Sequence, residues 1–120
     1  MSDQPNVNEE PTLETVLSVL EDEYARAILE ATRTDPLSAN ELSDRSDASL
    51  STVCRRLERL EAVSLVRERT RPRADGHHDT VYVATLEEFR LRLEPDGFTF
   101  DLRRDEEDVA DRLRRLWGDL

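Results

Sequence analysis

The spacing of apolar residues changes once along this 120-residue chain, at Ser64. Before Ser64 apolar side chains recur at helical intervals; after it they alternate. In the first half, Leu13, Val16, Leu17 and Leu20 give about two helical turns after Pro11-Thr12. Glu21-Asp22-Glu23 interrupts them and places negative charge at the start of a second helix. That helix carries Tyr24, Ala27, Ile28 and Ala31 and stops before Asp35-Pro36. Ser38-Ala39-Asn40-Glu41 has the form of a capping box, with Ser38 as N-cap and Glu41 reaching back. It opens a short helix over roughly 39–46 with Leu42 on its inner side. After the turn Ser46-Asp47-Ala48, Ser49 is a second N-cap, and a helix over 50–62 buries Val53, Leu57 and Leu60. These three lie within about 60° of one another at 100° per residue.

The second half reads as ribbons. Leu65–Thr70 is a strand, Arg71–Asp79 a polar loop broken by Pro72 and Gly76, and Thr80–Thr85 the returning strand. A second hairpin follows, with Phe89, Leu91 and Leu93 alternating before the turn Pro95-Asp96-Gly97 and Phe98, Phe100 and Leu102 after it. Asp105 then caps a terminal helix whose stripe is Val109, Leu113, Leu116, Trp117 and Leu120. The fold expected is α+β, a winged helix-turn-helix with an extra C-terminal β-hairpin and a terminal helix. Residues 1–10 are expected to be a disordered tail and 11–120 a single domain.

Charge sharpens the reading. There are 28 acidic and 17 basic residues, all 17 of them Arg, and the net charge is −11. Such acidity argues against nucleic acid, because carboxylates repel phosphates. Yet residues 55–73 hold seven Arg against Glu58, Glu61 and Glu68, a basic window of +4 in an acidic protein. A surface rich in acids and free of Lys resembles those of extreme halophiles, where salt screens repulsion within ~3 Å. No stretch approaches the length of a membrane span. The polar, acidic N-terminus is not a secretory signal. A cytoplasmic protein is expected. The single cysteine, Cys54, excludes an internal disulfide and a Cys-rich zinc site.

Two helices joined by a short turn, followed by a hairpin with a basic loop, form the layout of a winged helix-turn-helix. Residues 37–43 (LSANELS), 49–61 (SLSTVCRRLERLE) and 65–69 (LVRER) resemble the winged-helix regulators of the arsenical-resistance-repressor type. Residues 20–29 (LEDEYARAIL) resemble the helix just upstream in that family. The similarity covers roughly Leu13–Thr85, and the whole chain is similar to winged-helix proteins common in haloarchaea. The resemblance implies a transcription regulator that binds double-stranded DNA as a homodimer.

The residues agree with that implication. Ser51, Thr52, Arg55 and Arg59 lie opposite the core face of helix 50–62, with Arg56 on its flank. Hydroxyls bond bases or phosphates, and Arg grips guanine O6 and N7 bidentately. In the wing, 67–79, Arg67, Arg69 and Arg71 share one strand face, and Arg73, His77 and His78 sit near the tip. Such a wing meets backbone or minor groove. The plainer alternative for both elements is a solvated polar surface. Dimerisation is expected through helices 11–20 and 105–120, using Leu13, Val16, Leu17, Leu20, Val109, Leu113, Leu116, Trp117 and Leu120. The rival function is an acidic winged-helix module that docks on other transcription proteins without touching DNA. No phosphate loop, nucleophile elbow or metal cluster speaks for an enzyme, and no metal or cofactor is expected. His77-His78 are adjacent and lack further ligands, and Cys54 reads as a packing residue. The sequence names no small-molecule effector.

Overall fold

A computed structural model describes residues 11–105. Four helices come first: α1 (Leu13–Leu20), α2 (Glu23–Thr34), α3 (Ala39–Arg45) and α4 (Leu50–Ala62). Four strands follow: β1 (Val66–Pro72), β2 (His78–Ala84), β3 (Leu86–Glu94) and β4 (Gly97–Arg104). The strands form two separate two-stranded antiparallel sheets, β1–β2 and β3–β4. The chain divides into two compact units between Ala84 and Thr85, a boundary the sequence pattern does not announce. The architecture is α+β, a helix-turn-helix with a wing-like hairpin and a further hairpin. The tail 1–10 and most of the expected terminal helix lie outside the described residues.

Each helix starts where its cap dictates. The N-cap side chains of Thr12, Asp22, Ser38 and Ser49 accept from the backbone N–H groups of Thr15, Tyr24, Glu41 and Thr52. The capping box at α3 is complete, because the Ser38 N–H donates to Glu41 Oε1 at 2.9 Å. Every such bond satisfies a donor the helix itself leaves open. α4 ends in a Schellman turn. The Leu65 N–H donates to the Leu60 carbonyl at 2.9 Å and the Ser64 N–H to the Glu61 carbonyl at 3.0 Å. Ser64 carries the positive φ, 60°, that this motif requires. The change of residue spacing therefore coincides with a change of backbone handedness.

The core of the first unit is built from one face of each helix and the base of the hairpin. Val16, Ile28, Leu42, Val53, Leu57, Leu60, Leu65 and Val81 are all buried. Leu37 extends the β1–β2 sheet by one residue: its N–H donates to the Tyr82 carbonyl at 3.2 Å, and the Tyr82 N–H returns to the Leu37 carbonyl at 2.8 Å. Leu37 thus ties the start of the α3-turn-α4 pair to the hairpin. The hairpin is longer and its tip shorter than the sequence suggests. Arg71 and Pro72 belong to β1, and only residues 73–77 form the turn.

The second unit contains the β3–β4 ribbon. Its register places Phe89 opposite Leu102, Leu91 opposite Phe100 and Leu93 opposite Phe98. Directly opposed residues share a face, so these six make one apolar face. The other face carries Glu88, Arg90, Arg92, Thr99, Asp101 and Arg103. A shift of register between Leu86 and Glu88 marks a bulge at the start of β3. The Phe89 and Phe100 rings meet at 5.9 Å.

Candidate nucleic-acid interface

α4 presents two different surfaces. Val53, Leu57 and Leu60 are buried against α2, α3 and β1, and Ser51, Arg55, Glu58 and Ala62 are exposed on the opposite side. At its start, Ser49 Oγ donates to Thr52 Oγ1 at 3.0 Å and lies 3.2 Å from Ser51 Oγ. Three hydroxyls are therefore gathered at the helix N-terminus, where the backbone dipole attracts anions. Leu50 is 44% exposed, so it does not pack into the core. Its apolar surface stands beside those hydroxyls, suited to a thymine methyl.

The three arginines of α4 have separate environments. Arg55 is exposed and makes no hydrogen bond or ion pair among the described residues. Arg56 Nε pairs with Asp22 Oδ2, and its guanidinium sits 5.8 Å from the centre of the Tyr24 ring. Arg59 Nη2 donates to Ser18 O at 3.3 Å and Ser18 Oγ at 3.0 Å, while its Nη1 lies 3.6 Å from Asp22 Oδ2. The sequence groups Arg56 and Arg59 with Arg55 as DNA contacts. In the fold they bind α4 to α1 and α2, so both are turned toward the helical body. Asp22, which sequence reasoning treats only as charge at a helix start, is their common anchor. Helical spacing carried a partial signal, since Arg56 and Arg59 are one turn apart on one flank.

The wing arginines are likewise engaged. By register, Arg67, Arg69 and Arg71 share a face with Val83, Val81 and Asp79, and all three are half-buried. Arg71 Nη2 donates to Glu41 Oε1 at 3.0 Å and to Asp79 Oδ2 at 3.2 Å. Arg73 pairs with Asp75 at 3.1 Å and with Asp79 at 3.5 Å. The expectation of an openly basic wing is thus corrected: carboxylates of α3 and of the wing itself partly neutralise it. His77 and His78 are exposed at and beside the tip. Glu41 serves twice, as capping residue and as partner of Arg71. The Ser38 backbone N–H, followed by Arg71, holds its carboxyl below the usual range, and Asp79 with Glu41 pushes Arg71 up.

On the wing side of α4 the charge reverses. Partial loss of hydration raises the Glu61 carboxyl above its usual range, and the charges of Glu68 and Glu58 add to this. Burial raises the Tyr82 hydroxyl too, helped by Glu68 and Glu61. Glu58, Glu61 and Glu68 therefore form an acidic cluster between α4 and β1. It is visible in sequence only as three Glu within the basic window.

Of the residues expected to join two copies, Val16 is fully buried within its own protomer and is corrected to a core residue. Val19, absent from that expectation, is buried beside it. Leu17 is 41% exposed, and Leu13 and Leu20 are half-buried. The stripe from Val109 to Leu120 lies outside the described residues. Among the described residues no group of three His, Cys, Asp or Glu is arranged to hold a metal ion. No helix among them is long and apolar enough to cross a membrane. Cys54 is exposed on α4, not packed as the sequence suggests.

Residues 20–69, from the last residue of α1 into β1, match the helix-turn-helix domain family. Over that stretch the chain is similar to helix-turn-helix domains. That domain is a DNA-binding fold and supports a DNA-binding regulator over an enzyme. No curated protein matches the chain.

Proposed function

We propose that the chain is a sequence-specific transcription regulator that binds double-stranded DNA as a homodimer, of the arsenical-resistance-repressor type and from a halophilic archaeon. The reading is carried by one observation: Arg55 stands exposed and unpaired among the described residues, on the outward face of the second helix of a helix-turn-helix. With Ser51 and Thr52 it would enter the major groove, where its fork matches guanine O6 and N7. Arg67, Arg69, Arg71, Arg73, His77 and His78 would set the wing against the backbone, positioning more than specifying. Arg56 and Arg59 act indirectly, by holding α4 against α1 and α2. Two copies would meet through α1, where Leu17 with Leu13 and Leu20 offers an apolar edge, so that two recognition helices reach successive major grooves.

Selection from a random duplex pool in molar KCl tests the reading. Recovery of a pseudo-palindromic motif is expected. A pool that stays random after repeated rounds, with the protein folded, would overturn it in favour of a protein-docking winged helix.

A further inference from the structure

Asp79 bridges two arginines of the wing. Its Oδ2 accepts from Arg71 Nη2 at 3.2 Å, and its Oδ1 lies 3.5 Å from Arg73 Nη1. One carboxylate oxygen thus meets each guanidinium. Asp79 stands opposite Arg71 in the β1–β2 register, so the two side chains share a face. Arg73 follows two residues later, where the turn begins.

On the DNA-binding reading, on which this rests, we propose that Arg71 and Arg73 form a clamp for one phosphodiester of the duplex, and that Asp79 fills its seat in the free protein. Guanidinium groups bind carboxylates and phosphates alike, through N–H donors directed at paired oxygens. The two non-bridging oxygens of a phosphodiester can therefore replace the two oxygens of Asp79. The exchange makes and breaks no covalent bond.

Three carboxylates surround the two arginines, and two of them are tied to the backbone. Glu41 Oε1 accepts from the Ser38 N–H at 2.9 Å, and Asp75 Oδ1 accepts from the His77 N–H at 3.0 Å. Asp79 lies within β2, and its carboxylate faces the two guanidiniums. Arg71 keeps its place without it, because Glu41 at 3.0 Å and the Pro36 carbonyl at 3.5 Å also hold its guanidinium. The Arg73 side chain is 50% exposed, open to a ligand from solvent. Asp79 is therefore the carboxylate that can withdraw without loosening the turn or the α3 cap.

Two arginines among three carboxylates give this cluster one net negative charge, so an incoming phosphate is repelled until Asp79 withdraws. Exposed ion pairs are individually weak, which keeps the exchange reversible. The freed carboxylate gathers a cation as the phosphate loses one. The clamp thus closes on DNA with little net release of salt ions. Without the Asp79 charge, the cation lost by the phosphate is released outright.

Asp79→Asn keeps the shape of the side chain and removes its charge. In the full chain, in molar KCl, it should bind a selected duplex and its scrambled form about two- to fivefold more tightly, the worth of one exposed ion pair. Its slope of log affinity on log KCl should steepen by up to about 0.9. Glu30→Gln, which removes the same charge from an exposed position on α2, should do neither. Arg73→Ala combined with Asp79→Asn should abolish the gain. A gain no larger than that of Glu30→Gln, an unchanged slope, or a gain that survives without Arg73 would overturn the proposal. A second measurement needs neither DNA nor a variant: tripolyphosphate is titrated into the parent protein and the Nε–H resonances of Arg71 and Arg73 are followed. Both should move, and resonances that stay fixed would overturn the clamp. Movement of both, with no duplex bound by any variant, would strike the DNA-binding reading and leave the clamp standing.

Discussion

Arg55, Arg56 and Arg59 are chemically identical and sit within five residues, yet only Arg55 lacks a partner among the described residues. Their mutants should therefore separate. Arg55→Ala should leave thermal stability unchanged and weaken binding to a selected duplex by about 1–3 kcal/mol, the worth of one bidentate base contact. Arg56→Ala should instead lower stability by about 1–3 kcal/mol, because the Asp22 carboxylate loses its close ion-pair partner at a half-buried site. Melting curves and gel shifts on both variants check the pair; a stability loss confined to Arg55→Ala would reverse the assignment. The acids titrate with opposite signs. Glu41 is held below 4.5, so its contribution to stability is present above that pH and fades as pH falls through its folded value. Glu61 is raised above 4.5, so it favours the fold only while protonated and opposes it once pH rises through its folded value. Glu61→Gln should therefore raise the melting temperature at pH 7, with the gain disappearing toward pH 4. A constant gain across that range would show that ionisation is not its source.

At the scale of elements, α4 matters most, since it carries both core and outward face. Leu57 is 2% exposed at its centre, and Leu57→Ala should cost about 2–5 kcal/mol by opening a cavity. Chemical denaturation measures this; a cost below about 1 kcal/mol would mean that the three-residue core stripe does not hold α4 in place. Leu17→Asp on α1 should split the homodimer without unfolding the protomer, as light scattering with circular dichroism would reveal; an intact dimer would move the interface elsewhere. Helix boundaries were well marked in the sequence because their causes are local, whereas the ends of β1 and β2 were not. Ser49 capping α4, the Ser38–Glu41 box and the break at Ser64 all act within a few residues. The partners of the arginines were not legible. Arg59 meets Ser18 across 41 positions and Arg71 meets Glu41 across 30, distances only the packed fold brings together. The burial of Val16 and exposure of Leu17 were hidden for the same reason: two adjacent apolar stripes on α1 look alike until α2 and α4 choose one.

The whole molecule carries −11 charges, and Arg55, the α4 cation without a partner among the described residues, shares its helix with Glu58 and Glu61. Ordinary binders release cations from DNA and weaken steeply with salt. Here carboxylates facing phosphates would take up cations as Arg releases them, so the slope of log affinity on log KCl should lie near zero. In dilute buffer the same acids repel over a longer Debye length, and the fold should loosen below ~0.5 M salt. Following affinity and folded fraction together across KCl separates the two; a steep loss of binding between ~0.2 and ~1 M from folded protein would refute the salt account. The central claim is narrower: the outward face of α4 reads base sequence in a duplex. Its most direct measurement is the affinity, in molar KCl, of the parent protein and of Arg55→Ala for a selected duplex and for the same duplex with scrambled half-sites. The account predicts tight binding of two protomers to the selected site by the parent, weaker binding and reduced discrimination by Arg55→Ala, and weak binding of the scrambled duplex by both. Equal affinity of the parent for both duplexes, or an Arg55→Ala variant that discriminates as well as the parent, would contradict it.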